Sequence, residues 1–274
     1  MNRSGFNINM PPVVKYLIII NVVMLLLATI LERSGVNLTR YLGLFYFKSQ
    51  YFYPHQYITH MFMHGGLMHL FMNMWMLWLF GRTLEVVWGS KRFLMYYFVT
   101  GLGAAALHTF VNWIEISHIE QAAKGVLNTL TPDTFIAFYN EYGQGLLNIP
   151  QATMNNFIVG WEKMSSSPLL MNQAEDLVRA IVNVNMNIPT VGASGAVYGL
   201  LLAFGMLFPN TEFILLFPPI PIKAKYLVIA LGILALVMGV TGAGGNIAHF
   251  AHLGGMIFGY FLIIYWRKKS NRFY

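Results

Sequence analysis

The residues best suited to chemistry in this chain form the motif Gly192-Ala193-Ser194-Gly195, which opens a long apolar run. The motif has the Gly-x-Ser pattern of a nucleophilic serine, and its small residues leave room for a substrate or another helix to approach the hydroxyl. Serine is a weak nucleophile unless a neighbouring base activates it. The candidate bases are His249 and His252, in the last apolar segment. The pattern therefore predicts a serine nucleophile paired with a histidine base.

The composition places this chemistry in a membrane protein. Hydrophobic residues make up 57% of the chain and charged residues only 10%, against about 45–50% and about 25% in globular proteins. The absence of cysteine excludes disulfides and thiolate metal sites. The net charge of +7 fits basic flanks that contact anionic lipid, and no basic stripe with interleaved aromatic residues indicates a nucleic-acid partner. We expect the lipid bilayer, and no nucleic acid, as a partner.

Six apolar segments are predicted to be helices that cross the bilayer, which takes about 20 apolar residues. The second carries His69 and Asn73, the fourth begins at the serine motif, and the sixth carries the two histidines. The segments are residues 13–31, 67–80, a third that follows a basic turn at 81–92 and ends near Ile114, then 192–208, 226–240 and 247–266. A proline-rich turn (Pro218, Pro219 and Pro221) precedes the fifth. The chain is therefore predicted to be an all-α, polytopic membrane protein.

Residues 115–186 break this pattern. They hold seven of the ten acidic residues and three of the seventeen basic ones, together with several prolines. Thr131 followed by Pro132 has the form of an N-cap with proline at the first helical position. We predict a large extracytoplasmic insertion of short amphipathic helices between helices three and four, within a single membrane domain of residues 1–274. An aromatic-rich connector at 32–66 is expected at the headgroup level.

The charges of the loops predict how the chain crosses the membrane. Short basic loops at 82–92, 223–225 and 267–272 are expected in the cytoplasm by the positive-inside rule. Both termini are then cytoplasmic and the insertion lies outside, with the bacterial inner membrane as the expected location. The second, fourth and sixth helices would enter from the outer face, so their N-terminal ends share one depth. Because polar groups inside a membrane are costly and mark functional sites, this convergence favours a site there.

Helix geometry distinguishes the two candidate bases. At about 100° per residue, Gly255 and Gly259 form one stripe of the sixth helix. His252 lies roughly 40° from the middle of that stripe and His249 roughly 100° away. Small residues at this spacing let helices approach closely, and Gly195 begins a matching stripe beside the serine. The stripes therefore favour His252 as the base.

Three motifs together resemble the rhomboid family of intramembrane serine proteases. The first motif lies at the start of the second helix. It extends from His64 to Asn73 and follows the family's His-x4-His-x3-Asn pattern, with His69 as its middle member. The fourth reads Gly192-Ala193-Ser194-Gly195, with Tyr198 one turn on, and the sixth reads Ala251-His252-Leu253-Gly254-Gly255. The resemblance covers the six-helix core. It implies a rhomboid-like bundle that cleaves transmembrane protein substrates near the outer membrane face.

The resemblance also implies a role for each polar residue of the motifs. Ser194 would be the nucleophile and His252 the general base, in a dyad without an aspartate. His69, Asn73 and the backbone N–H of Ser194 would form the oxyanion hole. No cofactor and no metal is implied for this chemistry.

Supporting roles and two departures follow from the same resemblance. Tyr198 would pack on the base, and Gly192 and Gly195 would support the serine. The connector has His55-Gln56 where many relatives have Trp-Arg. The insertion at 115–186 has no counterpart in the compact family core.

Other functions stay open at this point. A rhomboid-like chain can be an inactive protein that binds and escorts membrane clients, but the serine and the histidine are both present here. A metal or haem site is a second alternative, drawn from His55, His60, His64 and His69. No cysteine or carboxylate lies near these histidines, and no His-Glu-x-x-His motif occurs. A transporter would be expected to show paired halves, and the sequence has no internal repeat.

Overall fold

A computed structural model describes residues 10–214, 220–241 and 246–269. In this part of the chain the regular structure is almost entirely helical, with one small two-stranded sheet. The prediction of an all-α protein is therefore confirmed. Pro218 and Pro219 of the proline-rich turn, and Arg272 of the basic C-terminus, lie outside the described residues.

The chain divides into two compact units. The first, which we call the core unit, comprises residues 1–44, 53–109 and 189–274, and the second, the insert unit, comprises 45–52 and 110–188. All three sequence motifs lie in the core unit. The insert unit takes in the whole of the predicted insertion, together with a short piece of the connector.

The helices are numbered here in chain order. They are α1 (Pro12–Arg33), α2 (Thr39–Leu42), α3 (Gln56–Thr59), α4 (Leu67–Met76), α5 (Arg82–Trp88), α6 (Ser90–Asn128), α7 (Pro132–Phe138), α8 (Gln151–Lys163), α9 (Pro168–Met186), α10 (Ser194–Leu207), α11 (Ala224–Thr241) and α12 (Asn246–Lys269). A 3-10 turn (His60–Phe62) follows α3, and π-helical turns follow α4 (Leu77–Gly81) and α7 (Tyr139–Gly143). The strands β1 (Glu212–Ile214) and β2 (Pro221–Lys223) lie between α10 and α11.

Four of the described helices are long and apolar enough to cross a membrane: α1, α6, α11 and residues 249–269 of α12. Helix α10 is also apolar but has only 14 residues. Helices α1 and α11 expose bulky apolar side chains, among them Leu26, Ile30, Ile229 and Ile233. Exposed apolar surface of that extent marks contact with an apolar partner, here lipid. The chain is an integral, multi-pass membrane protein.

Two predicted boundaries are wrong. Residues 82–88 form α5 and not a turn, and the break comes at Gly89, whose φ of 75° glycine adopts readily. Helix α6 does not end near Ile114 but continues to Asn128. Both errors have the same cause, because a loss of apolar character marks where a helix leaves lipid and not where it ends. The polar residues that follow still favour a helix.

The small sheet is a feature that the sequence analysis does not predict. Strands β1 and β2 are antiparallel, with Glu212 opposite Lys223 and Ile214 opposite Pro221. Pro221 is the first residue of its strand, a position where the missing N–H of proline is tolerated. One end of the proline-rich turn is therefore part of a hairpin.

The insert unit has its own apolar core. Helices α7, α8 and α9 bury Phe135, Trp161, Val178 and Ile181 completely. Helix α7 begins as predicted at Thr131, whose side chain accepts the N–H of Thr134 and completes a capping box with it. Helices of 7, 13 and 19 residues thus occupy most of this region, and its first residues, up to Asn128, continue α6.

A buried carboxylate joins the start of α1 to α5. Glu85 accepts the backbone N–H groups of Val13 (3.0 Å) and Val14 (2.8 Å) and the hydroxyl of Ser90 (2.7 Å). The first N–H groups of a helix have no partner within it, and the positive end of the helix dipole favours a negative charge there. The charge of Glu85 is thus satisfied although the residue is only 3% exposed.

His55 and Gln56, the two residues that depart from the family pattern, make contacts within the connector. The Nε2 atoms of His55 and Gln56 lie 2.9 and 3.3 Å from the carbonyl oxygen of Tyr41. The ring of His55 also stacks on Tyr53, with 5.6 Å between ring centroids. These contacts anchor α3, which leads into the segment that carries the first motif.

Candidate active site

The serine and one of the two candidate histidines are in direct contact. The Nε2 atom of His252 lies 2.9 Å from the Oγ atom of Ser194. Ser194 is the first residue of α10, and His252 lies in the second turn of α12. A hydrogen bond of this length lets a neutral imidazole accept the hydroxyl proton. In the described part of the chain, the buried Nδ1 atom of His252 has no hydrogen-bond partner, so the pair forms a dyad.

The imidazole is held by ring stacking. Tyr198 lies one helical turn after Ser194, and its ring is 4.1 Å from the ring of His252 at an angle of 3°. Residues four apart share a face of a helix, so Ser194 and Tyr198 approach α12 together. Stacking of this kind restricts the ring to the orientation that directs Nε2 at the hydroxyl.

Glycines bring the two helices of the dyad into backbone contact. A Cβ atom at Gly255 would collide with the carbonyl group of Gly195, and one at Gly195 would collide with the Cβ of Ala104 on α6. The close approach predicted from the glycine stripes therefore occurs at Gly195 and Gly255. The next glycines of the two stripes, Gly199 and Gly259, face α6 instead. The Tyr96 hydroxyl of α6 donates to the carbonyl of Gly199 (2.9 Å).

The first residue of the serine motif must be glycine for two reasons. Gly192 has a φ of 124°, which residues with a side chain rarely adopt. A Cβ atom there would also lie 2.9 Å from Nε2 and 2.8 Å from Cε1 of His69. The imidazole of His69 thus lies directly against the backbone that leads into Ser194.

The hydrogen bonds of His69 indicate which ring nitrogen carries the proton. Its Nδ1 atom accepts the backbone N–H of Gly65 at 3.3 Å, so the neutral ring holds its proton on Nε2. Nε2 is the nitrogen that faces Gly192. The backbone N–H of Ser194 lies nearby, and it has no acceptor within the helix because α10 begins there. Two N–H donors are therefore available beside the Ser194 hydroxyl.

Asn73 is placed differently from the other motif residues. It is only 5% exposed, and its Nδ2 donates to the carbonyl of His69, one turn earlier, at 2.9 Å. One N–H of the amide remains after that bond. Asn73 is not among the described residues that line the cavity around Ser194. The structure thus brings together Ser194, His252, Tyr198 and His69. Asn73 lies one helical turn after His69 on α4 and is not among the described residues of the cavity wall.

Comparison with known families identifies the architecture that carries this site. The family model described as the rhomboid domain matches residues 51–115 and 152–269, which is more than half of the chain. The chain belongs to the rhomboid family. A search of the curated proteins finds no match. Rhomboids are in general intramembrane serine proteases, and inactive members exist.

The two segments matched by the rhomboid model leave a gap inside the predicted insertion. All three motifs lie within the matched residues, and only 116–151 fall between the two matched segments. This stretch contains the end of α6, all of α7 and the turn that follows. The gap between the two matched segments of this rhomboid is therefore shorter than the predicted insertion at 115–186.

The dyad of the rhomboid lines a cavity of about 150 Å³. Ser194, His252 and His69 contribute to its wall together with three polar residues that the sequence analysis does not assign to this site: His60, His108 and Thr190. His60 accepts the N–H of Gly192 on its backbone carbonyl at 2.9 Å. No local pattern marks His108 or Thr190, because both lie outside the family motifs and reach the cavity only through helix packing.

Burial changes the ionisation of His60 and His64, the last two histidines before α4. Burial lowers the pKa of His60 to about 4, and it lowers the pKa of His64 to about 4 as well, with a smaller contribution from the neighbouring His69. Both imidazoles are therefore neutral at pH 7. Neutral imidazoles also bind metals, but the described residues include no group of three or more His, Cys, Asp or Glu side chains that could hold a metal ion.

Proposed function

We propose that this rhomboid is an intramembrane serine endopeptidase that cleaves transmembrane protein substrates through Ser194 and His252. The observation that carries the proposal is the 2.9 Å contact between Ser194 Oγ and His252 Nε2. The stacked ring of Tyr198 and the backbone contact of Gly195 with Gly255 support it, because both fix the geometry of the pair.

The reaction would proceed through a covalent acyl-enzyme. Ser194 Oγ attacks the carbonyl carbon of the scissile peptide bond while His252 Nε2 accepts the hydroxyl proton. The tetrahedral intermediate then expels the amine, which takes that proton from His252. A water molecule next attacks the acyl group, giving its proton to the same nitrogen, and the ester bond breaks to restore the serine and release the carboxylic acid. Every proton transfer thus passes through one nitrogen, Nε2 of His252, which acts in turn as base and as acid.

The oxyanion of the intermediate would be stabilised by donors that are already oriented. The backbone N–H of Ser194 lies at the N-terminus of α10, where the helix dipole also favours negative charge. His69 offers the proton on Nε2, and Asn73 offers its remaining amide N–H. Donors fixed in advance contribute more in a site that excludes bulk water. We propose all three as the oxyanion hole.

The architecture proposed for this function is a bundle of six membrane-crossing segments. Helix α1, the continuous helical stretch 67–88, and helices α6, α10, α11 and α12 would be the six. The stretch 67–88 would be about 33 Å long at 1.5 Å per residue, enough to cross the hydrocarbon core. Residues 1–274 would form one membrane domain, with the insertion between the third and fourth segments.

The basic loops motivate a test of the topology. We predict that both termini are cytoplasmic and that residues 115–186 are outside, which would place the dyad near the outer face. A single cysteine introduced into this Cys-free chain at Ser166, which is exposed, should react with an impermeant maleimide added to intact cells. A cysteine at Lys223 is the matched control and should react only after lysis. The opposite pattern would reverse the topology.

The proposed activity is tested by an active-site probe. Purified protein in detergent is incubated with a fluorophosphonate, which phosphonylates activated serines, and peptide mapping locates the adduct. We expect one adduct, on Ser194, and none after heat denaturation. An unlabelled Ser194 in folded protein, together with no cleavage of any transmembrane substrate in liposomes, would instead support the inactive escort function.

A further inference from the structure

We propose that His108 and Thr190 are positioning residues for the oxyanion donors of this site. The inference deepens the proposed function and rests on it. The bond between these two side chains would hold the segment that enters α10, and through it the backbone N–H of Ser194 and the ring of His69. Neither residue belongs to a motif of the chain.

The contact itself is short and buried. The Nε2 atom of His108 lies 2.6 Å from the Oγ1 atom of Thr190. His108 is 3% exposed, and both residues line the cavity that contains Ser194. A polar pair inside a membrane helix bundle is costly unless its hydrogen bonds are satisfied. The pair therefore specifies one arrangement of the groups that it joins.

The segment in question is also tied by its backbone. Thr190 exchanges two backbone hydrogen bonds with Leu44, of 2.8 and 2.9 Å, and Gly192 donates to the carbonyl of His60 at 2.9 Å. These bonds fix one edge of residues 190–192. The Thr190 side chain adds an attachment to a different element, α6. Because it is a side-chain bond, substitution can remove it and leave the backbone bonds in place.

Movement of this segment would displace both donors. Gly192 follows Thr190 by two residues and lies against the His69 ring, and the N–H of Ser194 follows two residues later. Catalytic groups must be held within about 0.5 Å of the productive geometry. A displacement of about 1 Å costs on the order of 100-fold in rate. A single hydrogen bond at Thr190 can therefore have a large effect on catalysis.

Helix α6 can hold residues 190–192 in a fixed position because it also packs against both helices of the dyad. Ala104, one turn before His108, packs against Gly195 of α10 and Gly254 of α12. The same helix thus contacts both helices of the dyad and, through His108, the segment that precedes Ser194. The bond to Thr190 thereby fixes the position of the oxyanion donors relative to the nucleophile and its base.

The experiment removes either partner and measures kcat and KM separately on a transmembrane substrate reconstituted in liposomes. We expect Thr190→Val and His108→Ala each to lower kcat about 10- to 100-fold, with KM within about threefold of the wild type, because a positioning role acts on the transition state and leaves ground-state binding unchanged. The double variant should lose no more than the worse single variant. The rate of fluorophosphonate labelling should fall in parallel with kcat, since it needs the same donors.

Conservative variants separate positioning from stability. Thr190→Ser keeps a hydroxyl, and His108→Gln places an amide near the position of Nε2, so both should recover most of kcat. Thr109→Val is the matched control, because Thr109 is the next residue on α6 and its hydroxyl bonds groups outside residues 190–192: it donates to the carbonyl of Ala105 (2.8 Å) and accepts the hydroxyl of Tyr57 (3.2 Å). We expect the control to keep kcat within about threefold of the wild type, the margin set for KM.

Three outcomes would overturn the inference. They are a kcat that stays near the wild-type value in Thr190→Val, a loss that appears in KM, and an equal loss in Thr109→Val. If His108→Ala lowers the melting temperature, the kcat values of Thr190→Val and Thr190→Ser are compared instead, because they differ in the hydroxyl that bonds His108. The proposed function fails separately, if wild-type cleavage does not depend on Ser194, and in that case the inference fails with it.

Discussion

Replacing Ser194 with alanine is expected to abolish cleavage of a transmembrane substrate while the protein still inserts and folds. The reason is that Oγ is the atom in contact with His252 Nε2, and no bond to the substrate can form without it. Loss of a catalytic serine lowers kcat by about 10⁶-fold in a serine protease, so activity should fall to background. The hydrogen bond itself contributes only about 1 kcal/mol to stability. Cleavage is measured in liposomes, and folding by thermal unfolding in detergent.

The matched control for this prediction is Ser166→Ala. Ser166 is exposed in the insert unit, and its loss should leave cleavage unchanged. If Ser194→Ala retained cleavage at the wild-type rate, the proposal of a serine protease would be wrong. If Ser194→Ala failed to fold, Ser194→Gly would serve instead, since it also removes the hydroxyl and adds no atom to the contact with α12.

Replacing His252 with alanine is expected to remove both proteolysis and fluorophosphonate labelling. Without a base the hydroxyl is not activated, and the loss in kcat should approach that of the serine variant. His249 is the informative comparison because it lies on the same helix, with 6.0 Å between the two ring centroids. In the described part of the chain, the buried Nε2 of His249 has no hydrogen-bond partner. We expect His249→Ala to keep a substantial part of both activities.

The two histidine variants therefore discriminate between the candidate bases. An essential His249 with a dispensable His252 would mean that α12 presents a different face to α10 in the active protein. Because His252→Ala also removes the ring that stacks on Tyr198, its melting temperature is measured alongside. Loss of labelling in protein that melts normally assigns the effect to the missing base.

The packing explains how a dyad can do without a carboxylate. In a triad the third residue orients the imidazole by a hydrogen bond to Nδ1. Here the stack with Tyr198 restricts the ring, and the backbone contact of Gly255 with Gly195 fixes the distance between the helices. Orientation is thus provided by apolar and van der Waals contact. Small residues serve this purpose well in a membrane, where burial of apolar surface between helices gives little driving force.

Several features of this protein follow from the sequence alone, because they depend on residues close together in the chain. Apolar runs of sufficient length indicate membrane helices wherever they occur. Asn73 follows His69 by four positions, and Tyr198 follows Ser194 by four, so helix geometry alone predicts that each pair shares a face. The cap at Thr131 is equally local. The three motifs, each contained within a dozen residues, resemble the family to which the chain belongs.

Other features were decided only by the tertiary structure. The Ser194–His252 contact joins residues 58 apart in the chain, the Thr190–His108 bond joins residues 82 apart, and the bond from Val14 to Glu85 spans 71. The glycine stripes favoured His252 but could not show that Gly199 turns toward α6. Such pairings depend on the rotation and separation of whole helices, which many weak contacts along their length set jointly. Local spacing therefore predicts which residues share a face of one helix, and only packing decides which residue of another helix they meet.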